Sequence, residues 1–345
     1  MNRLPAHVDI REVGPRDGFQ NEPETIATAD KIDLINQLAR TGLRRIEVAS
    51  FVRPDVIPQL SDGVEVLHGI DVPDYVSLMV LVPNSKGLDN ALKVRETFSE
   101  VAIFVSASET HNKKNVNRSI AESMADNEVI AKRIVAEDLR CAAVIATSYG
   151  CPFEGKVPMK RVLDIAEQFA AAGASEVGFG DTTGMANPAY VGEFFAAAIE
   201  RLPGVEVTAH FHNTRGQGLA NAYAALQAGC TSFESSFGEL GGCPVPAGST
   251  GNIASEDLIS MFQEMDVSTG LAAGHDRRGA RRSERARSQT DQPLHCRRSD
   301  RLGAEPKRSL LPLDHPITHL KGENRYDQPR RIRHRRSPRH RPRHL

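Results

Sequence analysis

The chain has 345 residues, 40% of them hydrophobic and 25% charged, which suits one large globular domain or two smaller ones and excludes a low-complexity polymer. Its net charge of −1 joins two unlike parts: residues 276–345 hold 19 Arg and 2 Lys against 8 acidic residues, a net +13, and the remainder carries −14. Five cysteines without paired spacing argue against a disulfide framework, and no apolar run reaches the length of about 18 residues that a membrane helix needs, so a cytoplasmic protein with reduced thiols is expected.

β-rich runs recur near residues 8–13, 44–50, 76–82, 100–106, 141–147, 175–180, 205–211 and 231–236, and helical patterns follow most of them. Thr28 is placed to cap a helix whose apolar face is Ile32, Ile35, Leu38 and Ala39, with Gly42 as its stop. Asn187-Pro188 supplies an N-cap and a proline at the first helical position, residues 219–227 read as helix up to Gly229, and residues 255–265 form the last amphipathic helix. Eight strand–helix units in about 250 residues predict a TIM (β/α)8 barrel. A doubly wound open sheet is the rival; it needs fewer units, and no dinucleotide glycine fingerprint follows the first strand. In a barrel, the C-terminal ends of the strands carry the site. The polar motifs fall there: Arg16-Asp17 after strand one, Glu47 in strand two, Asp181-Thr182 after strand six, His210 and His212 on strand seven, and Cys243 after strand eight.

Residues two apart on a strand face one side, so His210 and His212 can share a metal in the barrel mouth; the plain alternative is a polar pair at a strand end. Asp17 on the neighbouring side and Asn252 add oxygen donors. This donor set suits Mg²⁺ or Mn²⁺ at least as well as Zn²⁺. Arg16 is either a surface partner of Asp17 or a fixed charge for a carbonyl or enolate oxygen, with Glu47 available to orient it. Asp181, in Gly-Phe-Gly-Asp-Thr-Thr-Gly, reads as turn chemistry or as a proton-handling carboxyl. Cys243 lies in a loop, residues 241–252, with four glycines and two prolines, which holds a thiol by backbone shape. Cys141 and Cys230 read as core residues, Cys151 is open to either reading, and Cys296 lies in the basic segment.

Val13-Gly-Pro-Arg-Asp-Gly-Phe-Gln-Asn-Glu22, Ile46-Glu-Val-Ala-Ser-Phe51, Gly150-Cys-Pro-Phe-Glu-Gly155, Gly180-Asp-Thr-Thr-Gly184, His210-Phe-His212 and Gly241-Gly-Cys-Pro occur in one order along residues 8–270. Together they resemble the 3-hydroxy-3-methylglutaryl-CoA lyase family of metal-dependent TIM-barrel enzymes. The resemblance implies cleavage of that thioester to acetoacetate and acetyl-CoA. It implies a divalent cation, Mg²⁺ or Mn²⁺, on Asp17, His210, His212 and Asn252. It makes Arg16 the enolate partner, Cys243 the acid/base group, and Glu47, Asp181 and His210 further catalytic residues. Gln20, Thr182, Lys113 and Asn115 are implied in substrate binding, with residues 113–117 read as a loop near the CoA entrance; a solvated basic turn is the alternative there. A homodimer is implied if the C-terminal region permits it. The sequence departs from the family pattern at Asn213, where many members have Asp, at Glu239, in a usually small and glycine-rich stretch, and at Val245. A related branched 3-hydroxyacyl-CoA is the alternative substrate.

The resemblance ends near residue 270. Residues 271–345 are dense in Arg, Pro, His and Ser and lack sustained periodicity, so a barrel domain over 1–270 followed by a disordered tail is expected. A shifted reading frame in a GC-rich gene accounts for this composition. A genuine basic arm is the other reading, but Tyr326 is its one aromatic residue, so no specific nucleic acid is expected, and no membrane partner either. An inactive remnant with a scrambled C-terminus is the non-enzymatic alternative.

Overall fold

Eight short strands pair in parallel in chain order and close on themselves: β1 (Asp9–Glu12), β2 (Arg45–Ser50), β3 (Ser77–Leu81), β4 (Glu100–Ser106), β5 (Arg140–Ala146), β6 (Glu176–Asp181), β7 (Glu206–Phe211) and β8 (Ser232–Ser235). Closure is made by β1 against β8, with Asp9 opposite Ser232 and Glu12 opposite Ser235. In this computed structural model residues 4–242 and 251–271 are described. The chain divides into two units, Met1–Cys296 and Arg297–Leu345, and every described residue lies in the first. Cys243, Val245 and the basic segment from residue 272 onward fall outside the described residues.

The helices among the described residues are α1 (Thr28–Ala39), α2 (Gly63–Gly69), α3 (Ser85–Ala91), α4 (Glu109–Val116), α5 (Ile120–Ala136), α6 (Met159–Ala171), α7 (Pro188–Arg201), α8 (Gly218–Gln227) and α9 (Ser255–Glu264). Local chemistry starts several of them. Ser119 and Glu122 form a reciprocal capping box on α5, and the Asn187 side chain accepts the Tyr190 N–H at the start of α7 with Pro188 in the first position. Thr28 does not cap α1. It is the first helical residue, and its hydroxyl donates to Asp62 at 2.8 Å instead. A tertiary partner outcompeted the local one.

Strand residues alternate between two environments. Those pointing outward, such as Ile46, Val105, Phe179 and Phe233, are buried against helix residues such as Ile35, Phe169, Phe194 and Phe262. Phe179 meets Phe194 and Phe233 meets Phe262 edge-on, both at 4.9 Å between ring centroids. Each such side chain contributes about 1.5–3 kcal/mol by leaving water. The barrel interior is different. Arg11 donates to Glu100 (2.9 Å), Glu176 (2.7 Å) and Glu234 (2.7 Å), while Arg45 donates to Glu100 (2.7 Å), Glu206 (2.8 Å) and Glu176. Beside this ionic layer a small apolar patch, Met79, Leu81, Ala102 and Ala142, lines one wall. Among the described residues no helix is long and apolar enough to cross a membrane.

Candidate active site

β1 runs into a single wide helical turn, Gly14–Gly18, in which the Val13 carbonyl collects the N–H groups of Arg16 (3.1 Å), Asp17 (2.7 Å) and Gly18 (3.3 Å). Gly14 is required by space: a Cβ there would stand 2.4 Å from the Phe237 ring and 2.7 Å from Glu12 Oε1. The turn carries Arg16 and Asp17 into the barrel mouth. Glu12 pins it to the strand-eight side. Its Oε1 accepts the N–H groups of Gly14 (2.7 Å) and Phe237 (3.1 Å), and its Oε2 accepts the Ser255 hydroxyl (2.6 Å). Burial pushes this carboxyl up to about 7 against those donors.

Asp17, His210 and His212 each place a donor atom within 4.8 Å of the others. The two Nε2 atoms of the histidines stand 3.1 Å apart. Two imidazole nitrogens facing so closely need either a shared proton or a shared cation. His212 pairs with Asn252 through a backbone bridge, which brings the amide to the same spot. Asn252 Nδ2 donates to Asp17 Oδ2 at 2.8 Å, while Asn252 Oδ1 is buried without a hydrogen-bond partner. A buried acceptor left over beside a carboxylate and two imidazoles fits a divalent cation. Asp17 is held below the usual carboxylate range: burial opposes this, but Arg16, His210 and His212 outweigh it.

Behind the cluster, Glu234 of β8 accepts from His210 Nδ1 at 2.9 Å and from Arg11 at 2.7 Å. Burial alone would raise Glu234; the contacts with His210 and Arg11 instead pull it to about 2, and it is an anion at neutral pH. A carboxylate on Nδ1 fixes the ring and leaves Nε2 for the site. Nothing in the sequence motifs singled out Glu234. Its signal was a lone acid in the short strand Ser232-Phe-Glu-Ser235, at an inward position.

Arg16 bridges two carboxylates, Asp17 at 2.9 Å and Glu47 at 2.5 Å. Two effects compete at Glu47. Burial pushes it up to about 7, while the guanidinium opposes, and Arg16 is itself held above its ordinary value by Glu47 and Asp17 despite burial. The contact favours the ion pair, because Arg16 cannot shed its proton. Asp181 does serve its turn: Oδ1 accepts the N–H groups of Met185 (2.7 Å) and Ala186 (3.0 Å). Its Oδ2 is buried without a hydrogen-bond partner, and burial raises the group to about 7.

Arg16, Asp17, Glu47, His210, His212 and Glu234 line a cavity of about 670 Å³ together with Gln20, Thr182, Asn115, Met79 and Phe104, whereas Asp181, between the lining residues Gly180 and Thr182, is not part of that lining. Gln20 donates to Asp17 at 3.2 Å, and the Thr182 hydroxyl accepts the Thr147 N–H at 3.1 Å. Residues 113–116 belong to helix α4 rather than to a loop, because Ser108 caps that helix through the His111 N–H. Lys113 is exposed and does not line the cavity. Cys141, Cys151 and Cys230 are buried; Cys151 accepts from the Ser108 hydroxyl, and burial raises the thiols of Cys141 and Cys230 to about 12. Cys243 lies outside the described residues, between the stems Gly241-Gly242 and Gly251-Asn252.

The HMGL-like family model matches residues 7–277. Hydroxymethylglutaryl-CoA lyase YngG of Bacillus subtilis (strain 168) is 47% identical over 267 residues, covering 77% of this chain and 89% of that protein. The mitochondrial hydroxymethylglutaryl-CoA lyase of Homo sapiens is 40% identical over 271 residues, 79% of this chain and 83% of that one. The crystal structure of the B. subtilis HMG-CoA lyase superimposes with a TM-score of 0.75, covering 78% of this chain and 89% of that chain. An HMG-CoA lyase from A. baumannii, solved with coenzyme A and 3-methylmalate, gives a TM-score of 0.74 at 39% identity, covering 79% and 88%. The barrel, the order of its motifs and these relatives agree: the chain belongs to the HMGL-like family and is a lyase of the hydroxymethylglutaryl-CoA lyase type.

Proposed function

We infer that this protein cleaves 3-hydroxy-3-methylglutaryl-CoA to acetoacetate and acetyl-CoA. The observation that carries the reading is the meeting of Asp17, His210, His212 and the unpartnered Asn252 Oδ1 beside Arg16, in a chain 47% identical to a lyase of that name. Asp17, His210, His212 and Asn252 would hold a divalent cation, Mg²⁺ or Mn²⁺. When bound, the cation supplies Lewis acidity to the substrate's tertiary hydroxyl and carboxylate oxygens.

The chain's own groups do the rest. The 3-hydroxyl gives up its proton, the C2–C3 bond breaks, and its electron pair passes to the thioester as an enolate. Asp181, raised to about 7 and with one free oxygen, has the basicity to take or relay a proton near neutral pH. Arg16, fixed between Asp17 and Glu47, faces the cavity with a permanent charge for the enolate oxygen. Cys243 returns a proton to C2 and completes acetyl-CoA. Gln20, Thr182 and Asn115 line the cavity and would contact the acyl group, whereas Lys113, exposed and outside that lining, would meet CoA phosphates.

Acetoacetate release is to be compared between 3-hydroxy-3-methylglutaryl-CoA and other branched 3-hydroxyacyl-CoAs, for wild type and Cys243→Ser. The first substrate should be preferred, and Cys243→Ser should lose turnover by about 10²–10⁴-fold with metal affinity retained. Preference for another thioester overturns the substrate; equal loss of metal in Cys243→Ser overturns the role given to the thiol.

A further inference from the structure

Asn213 and Glu239 touch each other. Asn213 Nδ2 donates to Glu239 Oε1 at 2.6 Å. Asn213 directly follows His212. Glu239 leads into the stem Gly241-Gly242, and Gly251-Asn252 forms the opposite stem.

The three segments pack as one seam. The Asn213 N–H donates to the Gly251 carbonyl at 3.0 Å, and the Asn252 side chain donates to the Leu240 carbonyl at 3.1 Å. A Cβ on Gly251 would lie 1.6 Å from the Glu239 carbonyl oxygen, so the stems meet at backbone contact distance. The inner edge of the seam carries His212, Asn252 and, through its contact with Asn252, Asp17.

Glu239 sits at φ +57°, a left-handed conformation that residues other than Gly, Asn and Asp seldom adopt. A glutamate there needs a compensating interaction, and the Asn213 amide supplies one. The pair is directional. With a carboxylate at 213, two like charges would face each other at hydrogen-bond distance in a half-buried seam. With an uncharged small residue at 239, the amide would lose its acceptor.

We propose that Asn213 and Glu239 are a coupled positioning pair that fixes the two stems flanking residues 243–250 and so holds Asn252 against Asp17 and His212. The proposal rests on reading those three residues and His210 as a cation site; it does not depend on which thioester is cleaved.

Mn²⁺ titration of the full chain, followed by the electron paramagnetic resonance of free Mn²⁺, tests it without recourse to turnover. An added negative charge beside a cation site should by itself tighten binding. The pair predicts the opposite: Asn213→Asp should weaken Mn²⁺ binding by about tenfold or more. Adding Glu239→Gln to that variant restores one donor and one acceptor, and should bring the affinity back to within about threefold of wild type. If Asn213→Asp alone fails to fold, a folded double variant that binds Mn²⁺ supports the pair, and an unfolded or non-binding double variant overturns it. Unchanged or tighter binding in Asn213→Asp, or no recovery in the double variant, also overturns it. A wild-type chain that binds no Mn²⁺ removes the cation reading, and the pair with it.

Discussion

Glu234 shows how a single side chain can couple the ionic interior to the site. Arg11 grips one oxygen and His210 the other, so the carboxylate is held ionised far below its usual range. The sign of its pH linkage follows. A depressed folded pKa stabilises the protein above the unfolded value, near 4.5, and that stability is lost as pH falls through about 2. The gap in unfolding free energy between wild type and Glu234→Gln is therefore expected to be about 3 kcal/mol above pH 5 and to close near pH 2. Denaturant unfolding across that range checks it; a gap independent of pH would show that Glu234 is not the ion the contacts require. The ligand candidates were legible in the sequence because a strand fixes which way residues two apart point. Glu234 was not, because its partners are 223 and 24 residues away and only closure of the barrel brings them together.

The elements show the same division. Periodicity located all eight strands, since each needs only its own run of apolar residues. Capping was less legible: Asn187 acts on Tyr190, three residues on, as its local pattern announces, but Thr28 turned to Asp62, which no local pattern announces. The turn Gly14–Gly18 was recognisable as a motif, while its tether to Glu12 and Phe237 was not. Gly14→Ala should expose that tether. Its Cβ would press on the Phe237 ring, which is backed edge-on by Phe19 at 5.9 Å, and on the Glu12 carboxylate. We expect a loss of about 1–3 kcal/mol in stability together with weaker metal binding, because the turn that carries Asp17 must shift. Mn²⁺ affinity equal to wild type would mean that the turn absorbs the methyl group without moving Asp17.

At the scale of the whole molecule, the barrel combines an apolar shell with an ionic interior. Burying ions costs several kcal/mol each, and near-complete pairing returns most of it, so the layer is a rigid floor for the site more than a source of stability. Removing one member breaks that balance. Arg11→Met would leave Glu234 with only His210, and Glu100 and Glu176 with Arg45 as the one guanidinium that they still share. A destabilisation of about 3–5 kcal/mol is expected in denaturant unfolding, and a change below about 1 kcal/mol would contradict the role given to the layer. This floor was not legible in the sequence, because Arg11, Arg45, Glu100, Glu176 and Glu234 lie on five different strands and only closure of the barrel brings them together. Net charge did separate residues 276–345 from the rest, as a property of composition alone.

Carbon–carbon cleavage by this barrel is proposed to depend on a bound cation. Its most direct test is product stoichiometry with 3-hydroxy-3-methylglutaryl-CoA, before chelation, after exhaustive chelation, and after Mg²⁺ or Mn²⁺ is returned. Acetoacetate and acetyl-CoA are expected in equal amounts, with loss of both on chelation and recovery of both when the cation is returned. Release of free CoA without acetoacetate, or full turnover in the chelated protein, would contradict it.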